Sequence, residues 1–150
     1  MHRRARLFAV CVALSPVCAC FLANGSDGKK IGDAVQNLND QARWGLIQDA
    51  TLLVQPDYRE RFLTQHRRWG SEIQLADSEV VNVSLASDSK LASALVTYSW
   101  YARNDMTLHE TTLRQLWKAR SSNFALASEA VVRGDPGLLQ EASQSDSHEP

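Results

Sequence analysis

Beyond residue 20 this 150-residue chain has no thiol at all: Cys11, Cys18 and Cys20 are its full complement. A domain without paired cysteines stands on its packed core and not on covalent bridges. The motifs of nucleophilic and phosphate chemistry are missing too, since no G-x-S-x-G and no phosphate-cradling glycine loop occurs. One S-x-x-K match, Ser87 to Lys90, falls in a turn of a chain too short for the penicillin-binding fold and lacks the companion motifs. Nor is there a basic excess. The 16 lysines and arginines face 17 acidic residues, and three of them, Arg3, Arg4 and Arg6, crowd the N-terminus. Without those three the balance is four charges negative, which argues against a nucleic-acid partner.

What stands at the N-terminus is a basic patch followed by the apolar run Leu7–Ala23, interrupted by Ser15 and Pro16. That is the layout of an export signal. Its seventeen residues sit at the lower limit of the roughly 17 to 25 that a membrane-crossing helix takes, so a permanent transmembrane anchor is disfavoured. Within it, Val17-Cys18-Ala19-Cys20 resembles the lipobox of bacterial lipoproteins, in which a small residue precedes the cysteine that is acylated and becomes the new N-terminus. Cys20 matches that cysteine, with Ala19 before it, although Cys18 is unusual at the middle position. The resemblance implies a signal peptide over 1–19 and an acylated (palmitate-type) Cys20 that meets membrane lipid. Phe21 stands where many Gram-negative bacteria place an aspartate for inner-membrane retention, which implies an outer-membrane lipoprotein of the cell envelope facing the periplasm. An ordinary secretory cut after Ala19 or Ala23, or an inner-membrane anchor, is the alternative. If the cut precedes Cys20, one cysteine remains and no internal disulfide can form.

Residues 20–30, ending in NGSDGKK, read as a flexible tether, and 140–150, QEASQSDSHEP, as a disordered tail. Between them, 31–139 is one domain of ordinary size. Val35, Leu38 and Ala42 recur at helical spacing before Gly45. Leu46, Ile47, Ala50, Leu53 and Val54 form a second apolar face ending at Gln55-Pro56, and a third helix is expected over Asp57–Trp69. The tripeptide Arg-Trp-Gly occurs at 43–45 and at 68–70 with unlike flanks. Each copy reads as a helix ending, arginine near the negative pole of the dipole and glycine free to turn left-handed.

From Ser71 the period becomes two. Ile73, Leu75, Val81, Val83 and Leu85 are expected on one face of a long strand, followed by strands over Leu91–Tyr101, His109–Lys118 and Phe124–Val132, until Gly134-Asp135-Pro136-Gly137 breaks the pattern. Helices followed by an antiparallel meander make an α+β domain: N-terminal helices packed on a curved sheet of about four strands. That order, with RWGLIQDATLLV, DYRERFL, TYSWYARNDMTLHETTLRQLWK and RGDPGLL, resembles small uncharacterised bacterial lipoproteins. Their domain belongs to the nuclear transport factor 2-like cone superfamily, which also holds ketosteroid isomerase and polyketide cyclases. The resemblance implies a cone whose wide end serves catalysis, ligand binding or dimerisation.

Simple alternation would turn Asp77 and Glu79 inward with Ile73 and Leu75, where a buried carboxylate could act as a general base. A bulge at Asp77-Ser78 would instead send both to solvent. His66 lies on the apolar side of the third helix, four residues from Phe62 and three from Trp69, either as a packing residue or as an acid or base in a pocket. Adjacent His109 and Glu110 point to opposite faces of a strand and cannot share a metal; no metal site and no cofactor are expected. Tyr98, Trp100 and Trp117 on one sheet face could line a cavity for an apolar ligand, form the core, or support self-association. The sequence thus favours a non-catalytic interaction or assembly domain with an unknown envelope partner or a second copy. The alternatives are a carrier of a small apolar molecule and an isomerase- or dehydratase-like enzyme.

Overall fold

The structure, a computed structural model, describes residues 25–139, so the export segment, Cys20 and the tail from 140 lie outside the described residues. Helix α1 (Ser26–Arg43) is followed by the short α2 (Ile47–Ala50), a 3-10 turn over Thr51–Leu53, and α3 (Arg59–Gln65). Four strands come next: β1 (Ile73–Leu85), β2 (Leu91–Ala102), β3 (His109–Arg120) and β4 (Asn123–Gly134). They pair antiparallel in the order β1-β2-β3-β4 as one open, curved sheet, and the helices cover its inner face. The expected α+β layout is the one observed.

The helical part differs from the sequence reading in three places. α1 begins at Ser26, so residues 26–30, expected as tether, form its first turns. Asp27 and Lys30 pair at 2.9 Å, Lys29 and Asp33 at 2.8 Å, and Ile31 is already buried. The second apolar run is broken into α2 and the 3-10 turn, and Val54 leaves it to bridge Leu126 of β4. The third helix is shorter than Asp57–Trp69. It ends at Gln65, and Trp69 swings into a bridge with Ile73 while its indole Nε1–H donates to the Leu138 carbonyl at 2.8 Å.

Both Arg-Trp-Gly copies do end in left-handed glycines, at φ +73° for Gly45 and +78° for Gly70. The fold adds what the linear pattern could not show: the two endings touch. A Cβ on Gly45 would lie 3.3 Å from the Gly70 Cα, and one on Gly70 would lie 3.2 Å from the Gly45 Cα. The tryptophans beside them part company, Trp69 being buried and Trp44 75% exposed.

In β1 the alternation is reset twice. Leu75 faces Trp100 and Asp77 faces Ser99, so Ala76 is the extra residue of a bulge; Val81 is the extra residue of a second one. Ile73 and Leu75 point inward, Ser78 and Val80 continue the inner row, and Val83 and Leu85 complete it. Val81, expected inside, is therefore outside. β2 keeps strict period two, with Ala92, Ala94, Val96, Tyr98 and Trp100 inward.

Gly134 closes β4 at φ +88° directly against β3, where a Cβ would stand 2.1 Å from the Glu110 carbonyl oxygen. Gly134→Ala should cost about 2 kcal/mol or more, combining left-handed strain with a backbone clash. A thermal unfolding midpoint within a degree of the parent would show that β4 ends otherwise.

Candidate functional site

Among the described residues six polar ones are buried: Asn39, Gln65, His66, Thr111, Gln115 and Glu129. An apolar interior tolerates such groups only where they satisfy one another, and five of the six join one network with two tyrosines. α1 supplies Asn39, one turn after Val35, whose carbonyl accepts from its Nδ2 at 2.7 Å. Asn39 Oδ1 accepts from the Tyr98 hydroxyl of β2 and, at 2.8 Å, from Gln115 Nε2 of β3. That same Nε2 donates to Glu129 Oε1 of β4 at 2.7 Å. Tyr58, just before α3, donates its hydroxyl to Gln65 Oε1 at 2.5 Å and accepts from the Glu129 backbone N–H at 3.0 Å.

At the end of this chain His66 faces Glu129, with Nε2 and Oε2 3.0 Å apart and both side chains 1% exposed. His66 stacks on Phe62 at 4.1 Å and meets Trp69 edge-on at 4.3 Å. Its other nitrogen, Nδ1, lies 2.7 Å from the Phe62 carbonyl oxygen. A carbonyl only accepts, so Nδ1 carries a hydrogen. A neutral ring would then turn a bare lone pair on Nε2 toward a carboxylate. One further proton would relieve the contact, held as imidazolium with carboxylate or as imidazole with carboxylic acid. In both forms the pair is neutral overall, as its burial demands. Oε2 makes no hydrogen bond of good geometry despite its distance, so the two groups meet off-axis and not as an aligned donor and acceptor.

Glu129 is the residue that sequence reasoning missed. Phe124 and Leu126 point inward, and unbroken alternation would send 129 outward. β4 instead bulges at Ala127, where Trp117 faces Leu126 but Leu116 faces Ser128, and the skipped residue brings Glu129 to the inner face opposite Gln115. A second unread pair sits where β3 begins and β4 has just ended. His109 Nδ1 is 2.8 Å from Asp135 Oδ2, and its ring is stacked 4.5 Å from Trp100. His109 and Glu110 do point apart, as expected, and among the described residues no cluster suits a metal ion.

The carboxylates singled out from the sequence are elsewhere. Asp77 and Glu79 face outward, as the bulge alternative required, though the bulge falls one residue earlier, at Ala76. Asp77 pairs with Arg43 at 3.1 Å. The sheet separates both from His66, so these three do not form a site. Tyr98, Trp100 and Trp117 share the inner face and are all buried, but they do not form one cluster. Tyr98 meets Trp69 at 5.2 Å, Trp100 lies over His109, and Trp117 sits opposite Ala92, six residues or about 20 Å along the sheet from Tyr98. All three belong to the core with Phe62, Leu38 and Leu126. An open depression of about 440 Å³ reaches the outer side of His66 between Ile47, Gln48, Leu63 and Arg67.

Burial, and after it the charge of Glu129, raises the ionisation of Tyr58 and Tyr98 above the ordinary tyrosine value. Neither phenol can lose its proton in the folded state without leaving a second charge in the core.

No protein-family model matches the sequence, and neither does any curated protein. Among solved structures the chain is similar to the crystal structure of the intermembrane space region of the chloroplast protein ARC6, at 10% identity and a TM-score of 0.48, over 66% of this chain and 94% of that one. A likeness of that size carries no argument about function.

Two predictions follow from this network. Glu129→Ala should destabilise the domain by about 3 to 5 kcal/mol by stripping a buried partner. Glu129→Gln should cost about 1 kcal/mol, because its amide can donate to His66 Nε2 and still accept from Gln115. Urea unfolding of the two variants decides, and equal losses would reject the pairing. At alkaline pH the sign is set by the raised tyrosines: their stabilisation is complete below the unfolded value of about 10 and declines as pH climbs above it. Phenolate absorbance from Tyr58 and Tyr98 should therefore appear together with the loss of near-ultraviolet dichroism, never ahead of it.

Proposed function

We propose that this protein is an acyl-anchored envelope lipoprotein, held at the outer membrane through Cys20, whose folded domain is a non-catalytic interaction or assembly module. The observation that carries this reading is the use to which the reactive and aromatic groups are put. His66 and Glu129 are spent on each other inside the core, and Tyr98, Trp100 and Trp117 are packed under the helices. An isomerase-like reaction needs a carboxylate in an open pocket, and Asp77 and Glu79 lie on the outer face. A carrier needs an open apolar cavity lined by the aromatics.

An interaction module needs exposed apolar surface instead, and the domain has it at one end. Trp44 (75% exposed) follows α1, and Met106 and Leu108 (both 66%) occupy the β2–β3 connection. These segments adjoin, since Gly45 packs on Gly70 and Arg103 donates to the Gly70 carbonyl at 3.0 Å. Isolated apolar side chains on a surface are ordinary, but grouped ones mark contact sites.

Metabolic labelling with an acyl donor tests the anchor: the parent should incorporate label in the membrane fraction and Cys20→Ser should incorporate none. Undiminished labelling of the variant would reject Cys20 as the acylated residue.

A further inference from the structure

The sheet's other end has the opposite character. The β1–β2 turn carries Lys90, and β3 finishes with Lys118 and Arg120; all three are exposed, and among the described residues none is in an ion pair. Leu91 pairs with Lys118 and Ser93 with Leu116, so Leu91 (52% exposed) and Leu116 (47%) stand together on the outer face among these cations. Carboxylates are scarce here. From residue 111 to 132 the only one is Glu129, which points into the core, and the turn adds one, Asp88, which accepts from the Lys90 backbone N–H at 3.0 Å and leaves three cations against it. In a chain whose overall balance is slightly acidic, this is a local reversal of sign.

The path of α1 brings the N-terminal chain to the same end. Arg43 reaches Ala76 and Asp77, level with Ser99, whereas Asn39, one turn earlier, already spans Tyr98 and Gln115, the latter level with Ala94. The helix thus runs backward toward the hairpin turns. From Arg43 to Ser26 it covers about 26 Å, and the strand from Ser99 to Leu91 covers about 27 Å. The start of α1 therefore arrives near the level of Leu91 and Lys118. Only four residues separate Cys20 from Gly25, a reach of at most about 18 Å even when fully extended.

We infer that the hairpin end, through Lys90, Leu91, Leu116, Lys118 and Arg120, is a docking surface for an anionic phospholipid bilayer. The inference rests on the acyl anchor at Cys20, because that anchor and the short tether deliver this end to the headgroups. Once there, the cations lie within the roughly 8 Å over which charges act at physiological salt. Each basic side chain near such a surface strengthens association about five-fold, and the two leucines can enter the headgroup boundary. The Trp44 and Met106 end then faces away from the membrane and is free for a partner protein.

Hydroxyl-radical footprinting of the full-length acylated protein, reconstituted in vesicles of phosphatidylethanolamine with phosphatidylglycerol, tests this. Leu91 and Leu116 should be protected several-fold relative to the protein in detergent, while Trp44 and Met106 keep their reactivity. The protection should fade in pure phosphatidylcholine vesicles, in high salt, and in the variant Lys118→Glu with Arg120→Glu, whose far-ultraviolet dichroism reports folding. Protein that floats with the vesicles but leaves both leucines fully reactive overturns the docking surface and spares the anchor. Protein that does not float with them overturns both. Protection already present in detergent assigns the face to self-association and likewise overturns the inference.

Discussion

The interior of this domain depends on one constraint: a carboxylate and an imidazole, both sealed from water, must be satisfied by each other and by the polar groups around them. Glu129 is brought into the core by β4, where His66 faces it at 3.0 Å, Gln115 donates to it, and the chain continues through Asn39 to Tyr98. The network ties α1, α3, β2, β3 and β4 to one point. Apolar packing can slide or repack at modest cost, but a connected set of buried hydrogen bonds holds its members to the arrangement that keeps their partners in reach. The helices are thereby seated on the sheet in a fixed register, without any covalent bridge.

Bulges decide which side chains take part. A bulge at Ala127 turns Glu129 inward, and one at Ala76 turns Asp77 and Glu79 outward, where Asp77 meets Arg43 at the end of α1. The two carboxylate groups thus exchange the places that plain alternation assigns them. Each bulge also bends its strand, and the curved sheet gives the helices a concave seat. In the hollow so formed, small residues oppose large ones: Trp117 is accommodated opposite Ala92, and Tyr98 is reached by Trp69 from the turn after α3.

The domain buries His66 and Glu129 against each other and presents two dissimilar ends. One carries exposed Trp44, Met106 and Leu108, beside the crossing of Gly45 and Gly70; the other carries lysines, an arginine and two leucines near the start of α1.

The class of fold was legible in the sequence because helical and strand periodicities are local: α1, the four strands and the two glycine-ended turns follow from residue spacing and from backbone freedom at single positions. So was the core role of Tyr98, Trp100 and Trp117, one of the uses their shared face allowed. The helix boundaries were less legible, since Ser26–Lys30 looks like a linker until Ile31 is buried and Trp69 looks helical until Leu138 claims its indole. Glu129 could not be read at all. A bulge is a relation between two strands, and no spacing within β4 records that Leu116 and Trp117 of β3 skip Ala127. Local sequence determined which segments are helix and which are strand; only the pairing of strands and the closing of the buried polar network decided which charges went inside, because side-chain facing in a sheet is settled by the neighbour's register.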